Sequence, residues 1–458
     1  MYQLEPIAAL ATAPGIGAIA VVRVSGESAI DITNRIFYGK DLTRQASHTA
    51  HFGTLRNTDG SLIDEVVATV FRAPKSFTKE DVVEISCHGS EFIIQQLLRR
   101  LTAEGVRLAR PGEFTQRAFL NGQFDLVQAE AVADLIASDS DASHRAALTQ
   151  LRGGFSKQLK TLRQQLIDFV ALVELELDFG EEDVEFAHRE QLRQLMLDIR
   201  RVLHPLIESF SAGNAIKNGV PTVIVGKPNA GKSTLLNALL NEEKAIVSDI
   251  PGTTRDVIED ELFIDGLRFR LIDTAGLRQA TDQIEAIGIE RTQQKMRDAA
   301  LVVYLFDGKN ITPDELQSAI QEIRLSGKPY ILVGNKLDAL TDEKKQALEN
   351  VAGEKVAWIS AAQQTHLDEL KAVLSSRVRT DTAVQTGSAV VTNARHYEHL
   401  TGTDDALARA ISGLDASVTP DWLAMDLRVA LRHLGELTGE ITTDDLLDSI
   451  FSKFCIGK

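Results

Sequence analysis

The sequence predicts a multidomain chain: an N-terminal α+β domain, then a helical domain interrupted by an inserted, mostly parallel α/β domain. Three observations lead there. Strand-like and helical segments mix over residues 1–121. Apolar stripes at spacings of three and four run through residues 122–217 and return over 382–458, the pattern of packed helices. Between them, over 218–381, short β-rich runs alternate with helical stretches, the pattern of a parallel sheet covered by helices.

The elements follow in order. The apolar start, PIAALATAPGIGAIAVV, lacks a basic leading region and is broken by Pro14, Gly15 and Gly17, so it reads as a loop entering a strand rather than a signal peptide. Ala18–Val24 and Glu65–Phe71 read as strands, Ile93–Leu101 as an amphipathic helix, and Pro111-Gly112 as a turn. Leu162, Leu166, Phe169, Val170, Val173 and Leu177 form one stripe of a long helix. The acidic run at Glu181, Glu182, Asp183 and Glu185 reads as a solvated interhelical turn rather than a metal cluster. Thr222–Val225, Leu301–Phe306, Tyr330–Val333 and Val356–Ile359 read as strands of the inserted domain. Glu261–Ile264 and Leu267–Ile272, joined by Asp265-Gly266, read as a hairpin with a primed turn at the sheet edge. Leu423, Leu427, Leu431 and Leu434 mark one face of a late helix.

Bulk properties narrow the class. The 458 residues, 44% hydrophobic and 25% charged, suit about three soluble domains with full cores. No apolar run reaches the roughly 18 residues of a membrane span. A net charge of −16 argues against a broad nucleic-acid-binding face, though not against a local basic patch. Cys87 and Cys455 are the only cysteines, too few for a disulfide scaffold, and a cytoplasmic address is expected.

The chemistry lies in the inserted domain. GKPNAGKST, Gly226–Thr234, matches the phosphate-loop pattern at every fixed position. Its glycines let backbone N–H groups of Asn229, Ala230, Gly231 and Thr234 close on phosphates, Lys232 supplies a point charge, and the Ser233 hydroxyl is a Mg²⁺ ligand. The helix that follows favours anions at its N-terminus. Three more elements follow in order. In SDIPGTT, Ser248, Asp249, Ile250, Pro251, Gly252, Thr253 and Thr254, the two threonines suit a γ-phosphate and Mg²⁺. Asp273, Thr274, Ala275 and Gly276 form the metal-side loop. Asn335-Lys336-Leu337-Asp338 and Ser360-Ala361-Ala362 suit a guanine, whose two N–H donors match the Asp338 carboxylate and which adenine cannot imitate. The expected ligand is GTP. Where switch GTPases carry a water-orienting Gln after the DTAG glycine, this chain has Leu277.

NAGKST, PGTTRD, DTAGLR, NKLD, ARPGEFTQRAFLNG and the terminal FCIGK resemble, over the whole chain, the bacterial tRNA-modification GTPase family MnmE, also called TrmE. The resemblance implies a P-loop GTPase domain embedded in the helical domain. It also implies a K⁺ ion beside the β- and γ-phosphates, held by Asn229, Ser248, Ile250 and Thr253, that replaces an arginine. Position 248 is often Thr in the family and is Ser here; ligation through a backbone carbonyl survives that change. Glu285 takes the catalytic role of orienting water, which answers the missing glutamine. An N-terminal domain binding 5-formyl- or 5,10-methylene-tetrahydrofolate is implied, with Arg23, Glu84, Gln123 and Lys458 as its contacts. The family commonly has Lys at position 123. The resemblance further implies a homodimer whose G domains associate across the nucleotide. A heterotetramer with an FAD-dependent partner, MnmG or GidA, would add an aminomethyl-type group, such as carboxymethylaminomethyl, to C5 of the wobble uridine U34 of certain tRNAs. Cys455 is expected to be a small packed side chain rather than a nucleophile. Alternatives are a ribosome-assembly GTPase, against which the net charge and FCIGK argue, and a nucleotide-gated scaffold with negligible turnover.

Overall fold

A computed structural model describes residues 5–178, 189–243, 260–272, 296–297, 299–381, 390–416 and 419–457. The chain divides into two compact units. One comprises Met1–Ala137, Ala147–Arg201 and His399–Lys458; the other comprises Ser138–Ala146 and Val202–Glu398.

The first unit is built on a seven-stranded sheet of β1 (Ile7–Leu10), β2 (Gly17–Ser25), β3 (Phe37–Tyr38), β4 (Thr49–Arg56), β5 (Leu62–Phe71), β6 (Val82–Gly89) and β7 (Arg107–Leu108), in the order β3-β4-β5-β6-β2-β1-β7. Neighbours are antiparallel except β1 and β7. Alternation along β5 buries Val66, Ala68 and Val70, and β2 and β6 add Val22, Val24 and Ile85. The helices Ala29–Ile36 and Glu91–Ala103 supply Ile30, Ile36, Leu97 and Leu101 to the same core, so the sheet is covered on one face as period-two patterning requires.

The start of the chain departs from expectation. Ile7–Leu10 is itself a strand rather than a loop, paired with Val22–Ser25 and with Arg107-Leu108. Its four residues carry little periodicity, and one partner strand lies about a hundred positions away, so only the tertiary pairing defines it.

Beyond the sheet, this unit is helical. The predicted long helix is Ser156–Asp178, with Leu166, Val170 and Val173 buried. It packs on Pro420–Thr438, which buries Leu423, Leu427 and Leu434. Segments that precede and follow the inserted unit in sequence thus share one core, and polar pairs repeat the connection: Arg200 Nε to Asp404 Oδ1 at 2.8 Å and Arg193 Nε to Asp415 Oδ1 at 2.9 Å. The acidic run Glu181–Glu185 lies outside the described residues.

The second unit holds a six-stranded sheet of β8 (Val220–Val225), β9 (Asp260–Ile264), β10 (Leu267–Leu271), β11 (Leu301–Asp307), β12 (Tyr330–Asn335) and β13 (Val356–Trp358), in the order β13-β12-β11-β8-β10-β9. All pairs are parallel except the β9–β10 hairpin at the edge. Its turn residues Asp265 and Gly266 have φ of 50° and 77°, the primed turn that matches strand twist. The sheet is buried on both faces. Leu301, Val303 and Leu305 of β11 meet Leu235, Leu239, Leu370 and Leu374 on one side, and Val302, Tyr304 and Phe306 meet Leu316, Ile320 and Leu348 on the other. The helix Pro313–Leu325 begins with Pro after Thr312, whose hydroxyl and Glu315 form a reciprocal capping box. No described helix is long and apolar enough to cross a membrane.

Candidate functional site

The phosphate loop leaves the C-terminal end of β8 and enters the helix Lys232–Glu243, the position at which open α/β sheets bind ligands. Two glycines are required by close approach. A Cβ on Gly226 would stand 2.0 Å from the Leu305 carbonyl, and one on Gly231 (φ 98°) would stand 2.2 Å from Asn335 Nδ2. Between them Asn229, an exposed residue, takes a left-handed φ of 63°, a conformation Asn tolerates better than most side chains. Lys232 Nζ donates to the Gly226 carbonyl at 2.7 Å and the Lys227 carbonyl at 3.0 Å. Burial holds its pKa below the ordinary lysine value. Lys227 is tied to Glu315 at 2.8 Å, so a capping residue of the neighbouring helix also steadies the loop.

A backbone cradle closed by glycines, with one ammonium aimed across it, fits a polyphosphate. Ser233 lies in the first turn of that helix and is the residue that would hold Mg²⁺ beside a bound phosphate. Of the four residues expected around a K⁺ ion, Asn229 is described, and Ser248, Ile250 and Thr253 lie outside the described residues. So do Asp249, Pro251, Gly252, Thr254, Asp273, Thr274, Ala275, Gly276, Leu277 and Glu285.

The Asn335–Asp338 and Ser360–Ala362 segments gather around one buried side chain. Asn335 ends β12, 3% exposed. Its Nδ2 donates to the Ala230 carbonyl at 2.8 Å, while its Oδ1 accepts from Lys336 N at 2.8 Å and Ala361 N at 3.0 Å. One amide therefore fastens the loop at Ala230 to the backbones of Lys336 and Ala361. Lys336 turns through a left-handed φ of 65° and pairs with Asp307 at 2.7 Å. Burial opposes the charge on Asp307, but its hydrogen bonds from Lys336 and Asn310 outweigh that and hold the carboxyl below its usual range. Asp338 is exposed, and the Ser360 hydroxyl donates to its Oδ1 at 2.5 Å. Ala361 is buried and Ala362 exposed beside it. Trp358 closes the floor: a Cβ on Gly334 would fall 2.2 Å from its ring.

Within the first unit, Arg23 of β2 and Glu84 of β6 face each other in register. Arg23 Nε donates to Glu84 Oε1 at 2.9 Å and Nη1 to the Gly457 carbonyl at 3.4 Å. The guanidinium also stands 5.5 Å from the Phe77 ring centroid and 5.6 Å from that of Phe114. A half-buried carboxylate–guanidinium pair flanked by aromatic rings fits a flat heterocycle bearing amide-like edges. Gln123 is exposed, and its backbone N–H donates to the Ala118 carbonyl at 2.8 Å; the next residue, Phe124, packs against Phe77. Lys458 lies outside the described residues.

The FCIGK end docks on the N-terminal sheet. A Cβ on Gly457 would meet the Leu10 carbonyl at 2.0 Å, and Gly112 N donates to the Cys455 carbonyl at 3.4 Å. Phe451 and Phe454 fill the apolar pocket with Leu126 and Ala129. Cys455 is exposed, not packed, because the two phenyl rings already occupy the space it would have taken. Cys87 is the buried thiol, and burial, reinforced by the charge of Asp64, pushes it to about 11.

Sequence reasoning missed a charged network beneath this region. Buried Glu113 accepts from Arg107 Nη1 at 3.0 Å and from Arg110 N at 2.8 Å. Arg117 bridges Glu113 at 3.2 Å and Glu80 at 3.3 Å, and Ser25 Oγ donates to Glu80 Oε2 at 2.7 Å. Burial disfavours the Glu113 charge, yet these partners hold its carboxyl below the ordinary range. ARPGEFTQRAF carried the signal only as charges of no assigned purpose.

Comparison with known proteins finds relatives along the whole chain. A family model described as the GTP-binding protein TrmE N-terminus matches residues 6–123, and one described as the MnmE helical domain matches residues 126–455. The tRNA modification GTPase MnmE of Cytophaga hutchinsonii is 58% identical over 454 residues, 99% of this chain and 98% of that one. Those of Flavobacterium johnsoniae and Bacteroides fragilis are 50% identical over 469 residues and 51% over 465, covering 100% and 99% of each chain respectively. Among solved structures, the FeoB G-domain from Methanococcus jannaschii aligns with 35% of this chain and 98% of its own at 27% identity and a TM-score of 0.26, too low to bear on the fold. With both family models in sequence and relatives matched end to end, the chain belongs to the tRNA modification GTPase MnmE family, GTP hydrolases that act in tRNA modification.

Proposed function

We propose that this chain is a K⁺-stimulated GTPase that drives modification of tRNA. The observation that carries the reading is the Asn335 amide, which joins the phosphate loop at Ala230 to the base loop at Ala361 and so makes one site from two. Lys232 exchanges its two carbonyl partners for outer phosphate oxygens, Asp338 reads the guanine edge, and Ser233 with Thr254 holds Mg²⁺. Asn229, Ser248, Ile250 and Thr253 hold K⁺. When bound, the two cations supply positive charge to the phosphates. Glu285 orients water, the duty that Leu277 cannot perform.

The domain boundaries of this reading are 1–121, 122–217, 218–381 and 382–458. The first domain holds a formyl- or methylene-tetrahydrofolate on Arg23 and Glu84, with Gln123 and Lys458 at its margin, and mediates a homodimer. With an FAD-dependent partner the protein adds an aminomethyl-type group to C5 of U34 in the cytoplasm. Hydrolysis times conformational change rather than supplying the modification chemistry.

GTP turnover in KCl against NaCl at equal ionic strength tests the reading. Turnover about tenfold faster or more in K⁺, some 1.4 kcal/mol of barrier, is expected, with association that depends on protein concentration. Equal rates in the two salts would remove Asn229 from the charge-stabilising role. Glu285→Ala should lower turnover about 100-fold or more while GTP affinity, read by nucleotide titration, stays unchanged. Unaltered turnover would assign water orientation to another group.

A further inference from the structure

We infer that the helical hairpin of the first unit carries a divalent transition-metal site made by His399, His433 and Glu436. Among the described residues these are the three that gather metal-ligating atoms, all within 4.8 Å of one another. His399 lies on the helix Ala394–Asp415, and His433 and Glu436 lie on Pro420–Thr438. The spacing of three places the latter two on one helical face. The histidine on the facing helix completes a set of two imidazoles and one carboxylate, a donor type that suits Zn²⁺ and its first-row neighbours.

The spacing matches what a metal would need. His399 Nδ1 and His433 Nδ1 stand 3.3 Å apart, and His399 Nδ1 stands 3.5 Å from Glu436 Oε2. Two ligands on a tetrahedral ion with bonds of about 2.0–2.1 Å stand about 3.3 Å apart; the His399–His433 spacing, now a hydrogen bond between the rings, matches that edge, the His399–Glu436 spacing is within a small adjustment of it, and the third pair lies within 4.8 Å. The ring centroids are 5.6 Å apart at 55°. The rings are therefore not stacked; they converge through their Nδ1 edges. Side-chain exposures of 14% for His399 and 30% for Glu436 leave the cluster sheltered yet within reach of a dissolved ion.

Gly402 adds a second, independent observation. It sits mid-helix, where glycine is disfavoured, and a Cβ there would stand 2.7 Å from His433 Nε2. Only glycine at 402 lets the His433 ring lie against the neighbouring helix with Nδ1 turned toward His399. A metal here would staple the hairpin that follows the inserted unit in the chain.

Cobalt is the probe. The full-length protein, stripped with chelator and kept free of Mg²⁺ and nucleotide, is titrated with Co²⁺ and read by visible absorption. The expected result is the intense d–d spectrum of four-coordinate cobalt, saturating at one ion per chain and discharged by Zn²⁺. His433→Gln and Glu436→Gln should each weaken binding about tenfold or more. Gly402→Ala, which touches no ligand atom of its own, should weaken binding by displacing His433. GTP hydrolysis stays unchanged in all three. Absence of the four-coordinate spectrum in the wild-type protein, or binding equally tight in His433→Gln and Glu436→Gln, would overturn the assignment and leave a hydrogen-bonded imidazole pair only. If either Gln variant fails to fold, as circular dichroism would show, a Zn²⁺-dependent rise in the wild-type melting temperature decides: its presence supports the site and its absence removes it.

Discussion

Gly231→Ala abolishes useful GTP binding while leaving the fold intact. The added methyl would lie 2.2 Å from Asn335 Nδ2, on a residue whose φ of 98° L side chains rarely adopt. Asn335 cannot step aside cheaply. Its Nδ2 holds Ala230, and its Oδ1 holds Lys336 and Ala361, so moving it releases the phosphate loop and both base loops together. Two or three buried hydrogen bonds at about 1 kcal/mol each, added to backbone strain, place the loss near 3 kcal/mol, which is about 100-fold in affinity. The same lost hydrogen bonds and strain weigh on the folded unit as well, so its melting temperature should fall by several degrees, while the apolar cores on the two sheet faces keep it folded at assay temperature. Gly353→Ala is the control. It too has a positive φ, 65°, but no atom lies within 4 Å of its added Cβ, so it tests strain without collision. Titration with a fluorescent GTP analogue reads both. Affinity within about threefold of wild type for Gly231→Ala would show that Asn335 is not the junction described here.

What was legible in the sequence was what is local. The phosphate loop, the Asn335–Asp338 tetrapeptide and the Asp265-Gly266 turn each need a few neighbouring residues with fixed conformational demands, and each lies where its spacing places it. Strands of the inserted sheet were legible because both faces are buried, which gives continuous apolar runs bounded by turns. The N-terminal sheet was harder. Ile7–Leu10 has too few residues to show a period. Arg117 meets Glu80 and the Glu5 carbonyl across separations of 37 and 112 residues, so no window along the chain contains the network. Asn335 shows the same limit within a recognised motif. Its place just after a strand was legible, but its function as a strut depends on Ala230, 105 residues earlier. Cys455 was misjudged because composition says where cysteines usually lie and not whether Phe451 and Phe454 have already filled the pocket.

Asp338→Asn should exchange the nucleotide rather than merely weaken it. Guanine presents N1–H and the N2 amino group side by side, two donors that a carboxylate accepts together. The Ser360 hydroxyl, donating to Oδ1 at 2.5 Å, fixes that carboxylate, and Ser360 is itself anchored by paired backbone hydrogen bonds with Thr365. An asparagine keeps the shape but offers one acceptor and one donor, so its amino group meets the guanine amino group with no acceptor between them. A site built to accept hydrogen bonds and then denied one loses far more than the bond's net worth, because the groups left facing each other are desolvated and unpaired. GTP affinity should fall about 1,000-fold, roughly 4 kcal/mol. Xanthine carries a carbonyl where guanine carries the amino group, so xanthosine triphosphate should bind the variant better than GTP, reversing the wild-type order. Hydrolysis of the xanthine nucleotide should then recover, since neither Lys232 nor Ser233 has been touched. A variant that keeps GTP within about tenfold, or one that loses GTP without gaining xanthosine triphosphate, would mean that Asp338 holds the loop through Ser360 and that the base is read elsewhere. A gain of the second nucleotide separates recognition from support, because a merely loosened loop has no reason to prefer a carbonyl at that edge.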